Sequence, residues 1–284
     1  MKKSLLLLIA LVLLAPSLEA RHPVKELFVL HTSDTHSRIE PIPDASSAPD
    51  AGKGGVVRRA SFVAQFRAEH PDALLFDCGD ISQGTPYYNL FQGELEVRMM
   101  NRMKYDAMTI GNHEFDFGLE NMARLFRLAD FPVVCANYDV RDTPLEGLVK
   151  PYIVLKRGGV RIGVFGLSPR MEGLVQADKC RGVRFIDPVD AARRVVQVLR
   201  KEEKCDVVIC LSHLGMLGTA SPQAGDEILV AHTEGIDLVL GGHTHTNMEQ
   251  PAFLRNAAGA EVPVMHVGKN GAYVGKIKLE LEKK

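Results

Sequence analysis

The sequence predicts a layered α/β fold, on three observations. Short apolar runs rich in Val, Ile and Leu recur along the chain, and helical patterns fall between them. The 284 residues are 46% hydrophobic, enough for one large core. Strands alternating with helices in this way build sheets covered by helices. The 34 basic and 35 acidic residues nearly cancel, so no global field gathers nucleic acid or an anionic membrane. An anionic substrate has to be captured by a local site.

Residues 1–20, MKKSLLLLIALVLLAPSLEA, combine Lys2 and Lys3, an apolar run from Leu5 to Ala15, and small Ala20 at a plausible cut. This is the organisation of a secretory signal peptide, with an apolar run short for a bilayer span. It predicts export to a periplasmic or extracellular location, a mature domain over 21–284 and no stable membrane span after cleavage. Leu18 fits the small-residue preference poorly, which leaves the cut position open. Strand-like runs follow at 26–32, 73–79, 106–111, 132–137, 152–157, 160–167, 206–213, 236–242, 262–268 and 272–281. Helical patterns lie near 55–69, 87–103, 118–129, 188–203 and 223–232. The clearest helix start is Asp187 followed by Pro188, an N-cap and a first-turn proline. Residues 38–55, RIEPIPDASSAPDAGKGG, predict a long surface loop rather than a domain linker. With no other composition shift and no repeat, the chain reads as one domain. Among the five cysteines, Cys78, Cys135 and Cys210 sit in apolar strand-like runs as buried thiols. Cys180 and Cys205 have more polar surroundings and are open to pairing in an exported chain.

Five strand ends each release Asp, Asn or His into a loop: Asp34 and His36, Asp80, Asn112 and His113, His213, then His243 and His245. Open α/β sheets bind ligands at the carboxyl ends of their strands, so these groups can converge. Carboxylate, amide oxygen and imidazole are ligands for first-row divalent metals. The D-T-H and H-T-H triplets place donors at i and i+2, which point to one side if the backbone is extended. Seven donors exceed one tetrahedral ion and suit two ions roughly 3.5 to 4 Å apart, the usual device for phosphoryl hydrolysis. Each element also has a bland reading. Asp80 and Asn112 are ordinary turn residues taken alone, Asp116 fits as an N-cap of the following helix, and His22, His31, His70, His232 and His266 read as structural or surface histidines. Five strand ends with the right donor types weigh against coincidence.

GDISQG, GNHEFD, SHLG and GGHTHT, with the upstream SDTH, resemble the motif set of the calcineurin-like metallophosphoesterases. GNHEFDFG, GTPYYNLFQGE and ANYDV resemble in particular the catalytic domain of the 5'-nucleotidase and UDP-sugar hydrolase group. The resemblance runs from about residue 27 to the end. It implies a four-layer αββα sandwich of two mixed β-sheets flanked by helices. It further implies that Asp34, His36, Asp80 and His245 hold one divalent ion, that Asp80, Asn112, His213 and His243 hold the other, and that Asp80 bridges them. Zinc, manganese, iron and cobalt all suit this N/O set. His113 is then left free of metal near the substrate phosphate, with Asp116 orienting it. The reaction implied is in-line attack on phosphorus by metal-bound hydroxide.

Two departures stand out. Ser37 occupies a position where this group often has Gly. The second domain that such enzymes use for the base and phosphates is not seen before Lys284, which opens three expectations: a catalytic domain acting alone on small phosphate esters, a partner chain supplying the missing domain, or another substrate. The leading expectation is a secreted hydrolase of nucleotide monoesters. The alternatives are a nucleotide-sugar diphosphatase, a cyclic-nucleotide phosphodiesterase, or a non-catalytic module docking a partner.

Overall fold

The structure, a computed structural model, describes residues 25–47, 49–216 and 225–281. The signal-like segment 1–20 and His22 lie outside the described residues. The first half runs β1 (Lys25–Thr32), α1 (Val56–Glu69), β2 (Leu74–Asp77), α2 (Pro86–Phe91), α3 (Glu94–Met103) and β3 (Ala107–Met108). A one-turn 3₁₀ helix (His113–Phe115), α4 (Gly118–Leu128), β4 (Val133–Val134), β5 (Tyr138–Asp139) and β6 (Val149–Lys150) follow. The second half runs β7 (Tyr152–Arg157), β8 (Val160–Leu167), β9 (Arg184–Phe185), α5 (Pro188–Lys201), β10 (Val207–Ser212), α6 (Asp226–Ala231) and β11 (Leu238–Gly241). It closes with β12 (Ala252–Arg255), β13 (Glu261–His266) and β14 (Gly275–Leu281).

Two six-stranded sheets result, in the orders β14-β1-β2-β3-β4-β6 and β12-β13-β11-β10-β8-β7. Both are mixed: parallel inside, with antiparallel β14 on one and antiparallel β12 and β7 on the other. The period of two in each strand divides its side chains between layers. Leu74 and Phe76 of β2 meet Val207, Ile209 and Leu211 of β10 in a core between the sheets. Leu75 instead packs outward beneath α1, α3 and α4, and Val208 and Cys210 pack outward beneath α5 and α6. The expected four-layer arrangement, helix–sheet–sheet–helix, is therefore observed.

Several details differ from expectation for local reasons. The helical pattern at 87–103 is two helices, because Gln92 is left-handed (φ 50°) and Gly93 follows at φ 92°. Glycine ends a helix at little steric cost, and α3 restarts beyond it. The paired segments β5, β6 and β9 have two residues each, too short to show a period. The edge strand β12 is likewise absent from the sequence pattern; it alternates half-buried with exposed residues and pairs with β13 through the Asn256–Ala260 turn. The 38–55 loop folds back on itself, with Ile42 bonded to Lys53 and its side chain buried. All five cysteines are free. Cys180 packs on the outer layer beside α4 while Cys205 is buried under α5, so the two lie in opposite helical layers and do not pair. No helix of the described residues is long and apolar enough to cross a membrane.

The expected cap at Asp187 forms: its carboxylate accepts the N–H groups of Val189 (2.9 Å) and Asp190 (3.1 Å). Asp187→Ala is expected to lower stability by about 1 kcal/mol, read as a shift of the urea midpoint at constant m-value. A second expectation concerns pH. His31 is fully buried between the sheets; burial, with the charge of nearby His266, lowers its pKa to about 3. The folded chain therefore holds fewer protons on His31 than the unfolded one, whose value is 6.5. Stability is complete above that value and falls as pH drops from it toward 3, by roughly 1.4 kcal/mol per pH unit for this one group. In chelator-treated protein, the slope of unfolding free energy between pH 6 and 4 should be shallower for His31→Gln than for wild type by that amount. Equal slopes would refute the assignment.

Candidate metal centre

The carboxyl ends of parallel strands from both sheets open onto one edge of the sandwich. There β1 delivers Asp34 and His36, β2 delivers Asp80, β3 delivers Asn112 and His113, β10 delivers His213, and β11 delivers His243 and His245. Backbone bonds lock the first two loops together: Asp34 N–H donates to Gly79 O (2.9 Å) and His36 N–H to Asp80 O (3.1 Å). Asp80 Oδ2 lies between two imidazoles, 3.1 Å from His213 Nε2 and 3.6 Å from His36 Nε2. Asp34 Oδ1 lies 3.5 Å from His245 Nε2 and 3.9 Å from each of His36 and His213. The His213 and His243 rings are 5.1 Å apart. Six of the seven donors proposed from sequence gather here, with Asn112 next to His113, whose N–H donates to Asp80 Oδ1 (2.8 Å).

They do not converge by extended backbone, as the i, i+2 spacing suggested. Asp34, His36, Asp80, His243 and His245 all have left-handed backbone, with φ between 47° and 76°. Non-glycine residues in that region cost energy and persist where surrounding structure enforces them, a pattern concentrated at functional sites. Close approach also demands glycine at two positions. A Cβ on Gly111 would strike the Asp80 carboxylate, and one on Gly242 would strike the Ser33 hydroxyl and the Asp34 carboxylate.

Electron-pair donors here are buried without partners. His36 Nε2, Asn112 Oδ1 and His243 Nε2 are shielded from solvent and make no hydrogen bond, and His213 Nε2 faces only the Asp80 carboxylate, 3.1 Å away. Buried polar atoms are nearly always satisfied, so three orphans around two carboxylates call for something in their midst. His213 is oriented for this: its Nδ1 is bonded to the Cys78 carbonyl (2.5 Å), which leaves Nε2 facing Asp80. Ligand atoms within 4.8 Å of one another form three groups, Asp34/His36/His245, His36/Asp80/His113 and Asp80/His213/His243. The donor set fits divalent cations.

The electrostatics agree. Burial raises the Asp34 pKa. Burial acts the same way on Asp80, but His213 and His36 outweigh it and hold Asp80 well below the usual range. His213 mirrors this: burial works to lower it, yet Asp80 and Asp34 raise it to about 10. Without metal the carboxylates keep a proton on His213, and a bound cation satisfies the same field. Burial chiefly lowers His243 and His245 to about 4, so both imidazoles are neutral at pH 7.

Asp116 does not N-cap α4. The residue preceding α4 is Phe117, and no side chain caps that end. Asp116 Oδ2 instead meets His113 Nδ1 (3.0 Å) and accepts the Tyr88 hydroxyl (2.8 Å). Burial works to lower the His113 pKa, but the Asp116 hydrogen bond and the charge of Asp80 raise it. His31 and His266 are buried within the fold, His70 stacks on Phe28, and His232 bonds the end of α6, as structural histidines do.

Sequence reasoning left Glu114 without a role. Its buried carboxylate accepts three backbone N–H groups, from Asp80 (3.0 Å), Ile81 (2.9 Å) and Gly111 (2.5 Å). Burial and the charge of Asp80 push its pKa up to about 7, while the N–H groups of Asp80 and Ile81 pull it down. Both oxygens act as acceptors, which the ionised form satisfies. Its partners lie up to 34 residues away, so no local pattern announces it.

Residues 28–247 match the calcineurin-like phosphoesterase family. The chain is 31% identical over 304 aligned positions to the snake venom 5'-nucleotidase of Crotalus adamanteus, covering 99% of this chain and 49% of that protein. Among solved structures it resembles the 5'-nucleotidase precursor of Thermus thermophilus (TM-score 0.80, 32% identity, 90% of this chain, 51% of that one). It also resembles the NAD nucleotidase of Haemophilus influenzae (TM-score 0.77, 26% identity, 91% and 53%). The chain thus spans about half the length of these relatives.

Glu114→Gln sets an amide NH₂ against a backbone N–H. It is expected to lower stability by about 2 kcal/mol and to weaken divalent-metal binding, as measured by denaturant unfolding and calorimetric titration of the stripped protein. A variant within about 0.5 kcal/mol of wild type, the range of a neutral surface substitution, would show that the clamp carries nothing.

Proposed function

The chain belongs to the calcineurin-like phosphoesterase family, and from that premise we propose that it is a metal-dependent phosphoester hydrolase acting on nucleotide monophosphates. Asp34, His36, Asp80 and His245 would hold one divalent ion, and Asp80, Asn112, His213 and His243 a second, from among zinc, manganese, iron and cobalt. The observation that carries this reading is the position of Asp80 Oδ2 between His36 and His213, amid the buried, unpartnered atoms His36 Nε2, Asn112 Oδ1 and His243 Nε2. When bound, such ions acidify a water molecule and neutralise phosphate oxygens.

The chain's own groups do the rest. His113, with Nδ1 committed to Asp116, has Nε2 left to meet the phosphoryl group or to protonate the leaving oxygen. Its raised pKa favours the charged, proton-donating ring. Asp116 fixes the ring and its tautomer. The paired loops of Asp34 and Asp80, held by backbone bonds and by Glu114, keep the donors in place before substrate arrives.

Substrate choice rests on the relatives named above, which include 5'-nucleotidases and an NAD nucleotidase. The latter makes a phosphoanhydride the second reading for the same site. Residues 1–20 direct export in this proposal, and 21–284 form the catalytic domain.

The test is to strip the protein with chelator, restore one metal at a time, and assay AMP, a nucleotide sugar and a cyclic nucleotide. Hydrolysis should vanish on stripping and return with a transition metal. His113→Ala should retain its metal content while losing roughly 10²- to 10⁴-fold in kcat. Chelator-insensitive turnover, or full turnover by Asp80→Ala, would falsify the reading; release of a sugar phosphate in preference to inorganic phosphate selects the second.

A further inference from the structure

Next to the candidate centre, α2 is a helix of only six residues, yet it is tied to two loops of the site. At its start, the Thr85 hydroxyl donates to Ser37 O (3.0 Å), and just before it Gln83 N–H donates to Ser37 Oγ (3.2 Å). Ser37 directly follows the donor triplet Asp34–His36, so its hydroxyl, a departure from the glycine of the resembling group, serves as an anchor for this segment. One turn along the helix, the Tyr88 hydroxyl donates to Asp116 Oδ2 at 2.8 Å, the same oxygen that meets His113 Nδ1 at 3.0 Å. The Tyr88 ring packs against Phe117, with centroids 4.7 Å apart, which fixes the phenol from the side.

We propose that Tyr88 is a positioning residue for phosphoester hydrolysis: its hydroxyl holds the Asp116 carboxylate, and through it the His113 ring, at a fixed distance from the metal-binding loop. The proposal rests on the reading of His113 as the group that meets the phosphate. The physical reason is that Asp116 is about a quarter exposed, at 28% of its side chain, and shares only one oxygen with His113. A carboxylate so placed has other rotamers and solvent available to it. A second donor on the same oxygen removes that freedom, and because α2 is anchored through Ser37, the dyad's position becomes tied to the loop bearing Asp34 and His36. Chemistry that depends on an approach distance of a few ångströms is sensitive to such a tether.

The test compares Tyr88→Phe, Asp116→Asn, the double variant and His113→Ala in metal-loaded enzyme. Tyr88→Phe keeps the ring and its packing on Phe117 and deletes only the hydroxyl. It should lower kcat about tenfold, as expected for one hydrogen bond to a charged group, with KM and metal content little changed. The double variant should be no slower than Asp116→Asn, since Tyr88 acts only through that carboxylate. In metal-free protein, at a pH high enough to leave the His113 ring neutral, ¹⁵N spectra should show one Nδ1–H tautomer in wild type and a mixture in Tyr88→Phe. Unchanged kcat in Tyr88→Phe beside a crippled His113→Ala, or losses that multiply in the double variant, overturns the proposal. Full turnover by His113→Ala overturns the catalytic reading instead, and the ring spectrum then decides alone whether Tyr88 positions the dyad.

Discussion

The arrangement depends on two carboxylates, Asp34 and Asp80, held almost entirely away from water and close to one another. Burying one such charge costs several kcal/mol unless positive charge lies beside it. Within the chain, the compensation available is protonation of His213. Everything else at the edge serves this pair: the left-handed backbone that turns donors inward, the glycines that admit them, and the backbone bonds between the loops. A divalent cation is a better answer to that field than a proton, because it also satisfies the unpartnered nitrogen and oxygen atoms around it.

Much of this was legible in the sequence because the donors follow strand ends, and strand ends are the part of an α/β chain that apolar periodicity marks best. That rule singles out Asp34, His36, Asp80, Asn112, His213, His243 and His245 as candidate donors. What periodicity could not supply was backbone conformation: the triplets suggested extended geometry, whereas each donor pair is left-handed. It also missed residues whose partners are remote. Glu114 and Tyr88 bond to groups that are neighbours only after β2 and β3 pair and α2 folds back over them. Two-residue strands such as β5 and β9 escape for a related reason, since their existence is decided by tertiary pairing.

The break between α2 and α3 illustrates how a small departure from expectation matters for chemistry. A continuous helix from residue 87 to 103 would carry its residues in one direction along the outer face of the sheet. Gln92 and Gly93 allow α2 to be set independently of α3. The segment can then meet Ser37 on one side and Asp116 on the other, while α3 keeps Val97, Met100 and Met103 in the core beneath it. Local stability and site geometry are thus assigned to different pieces of what the sequence pattern presents as one element.

The donors are divided between the two sheets: four come from the loops of one and three from the other, with more than two hundred residues between Asp34 and His245. Neither sheet alone offers both halves of a coordination sphere. On the proposed reading, an emerging or unfolded chain consequently has little hold on a cation, and affinity requires a closed central layer. On the reading proposed above, metal would load late in maturation and draw the completed sandwich away from partly docked forms by mass action.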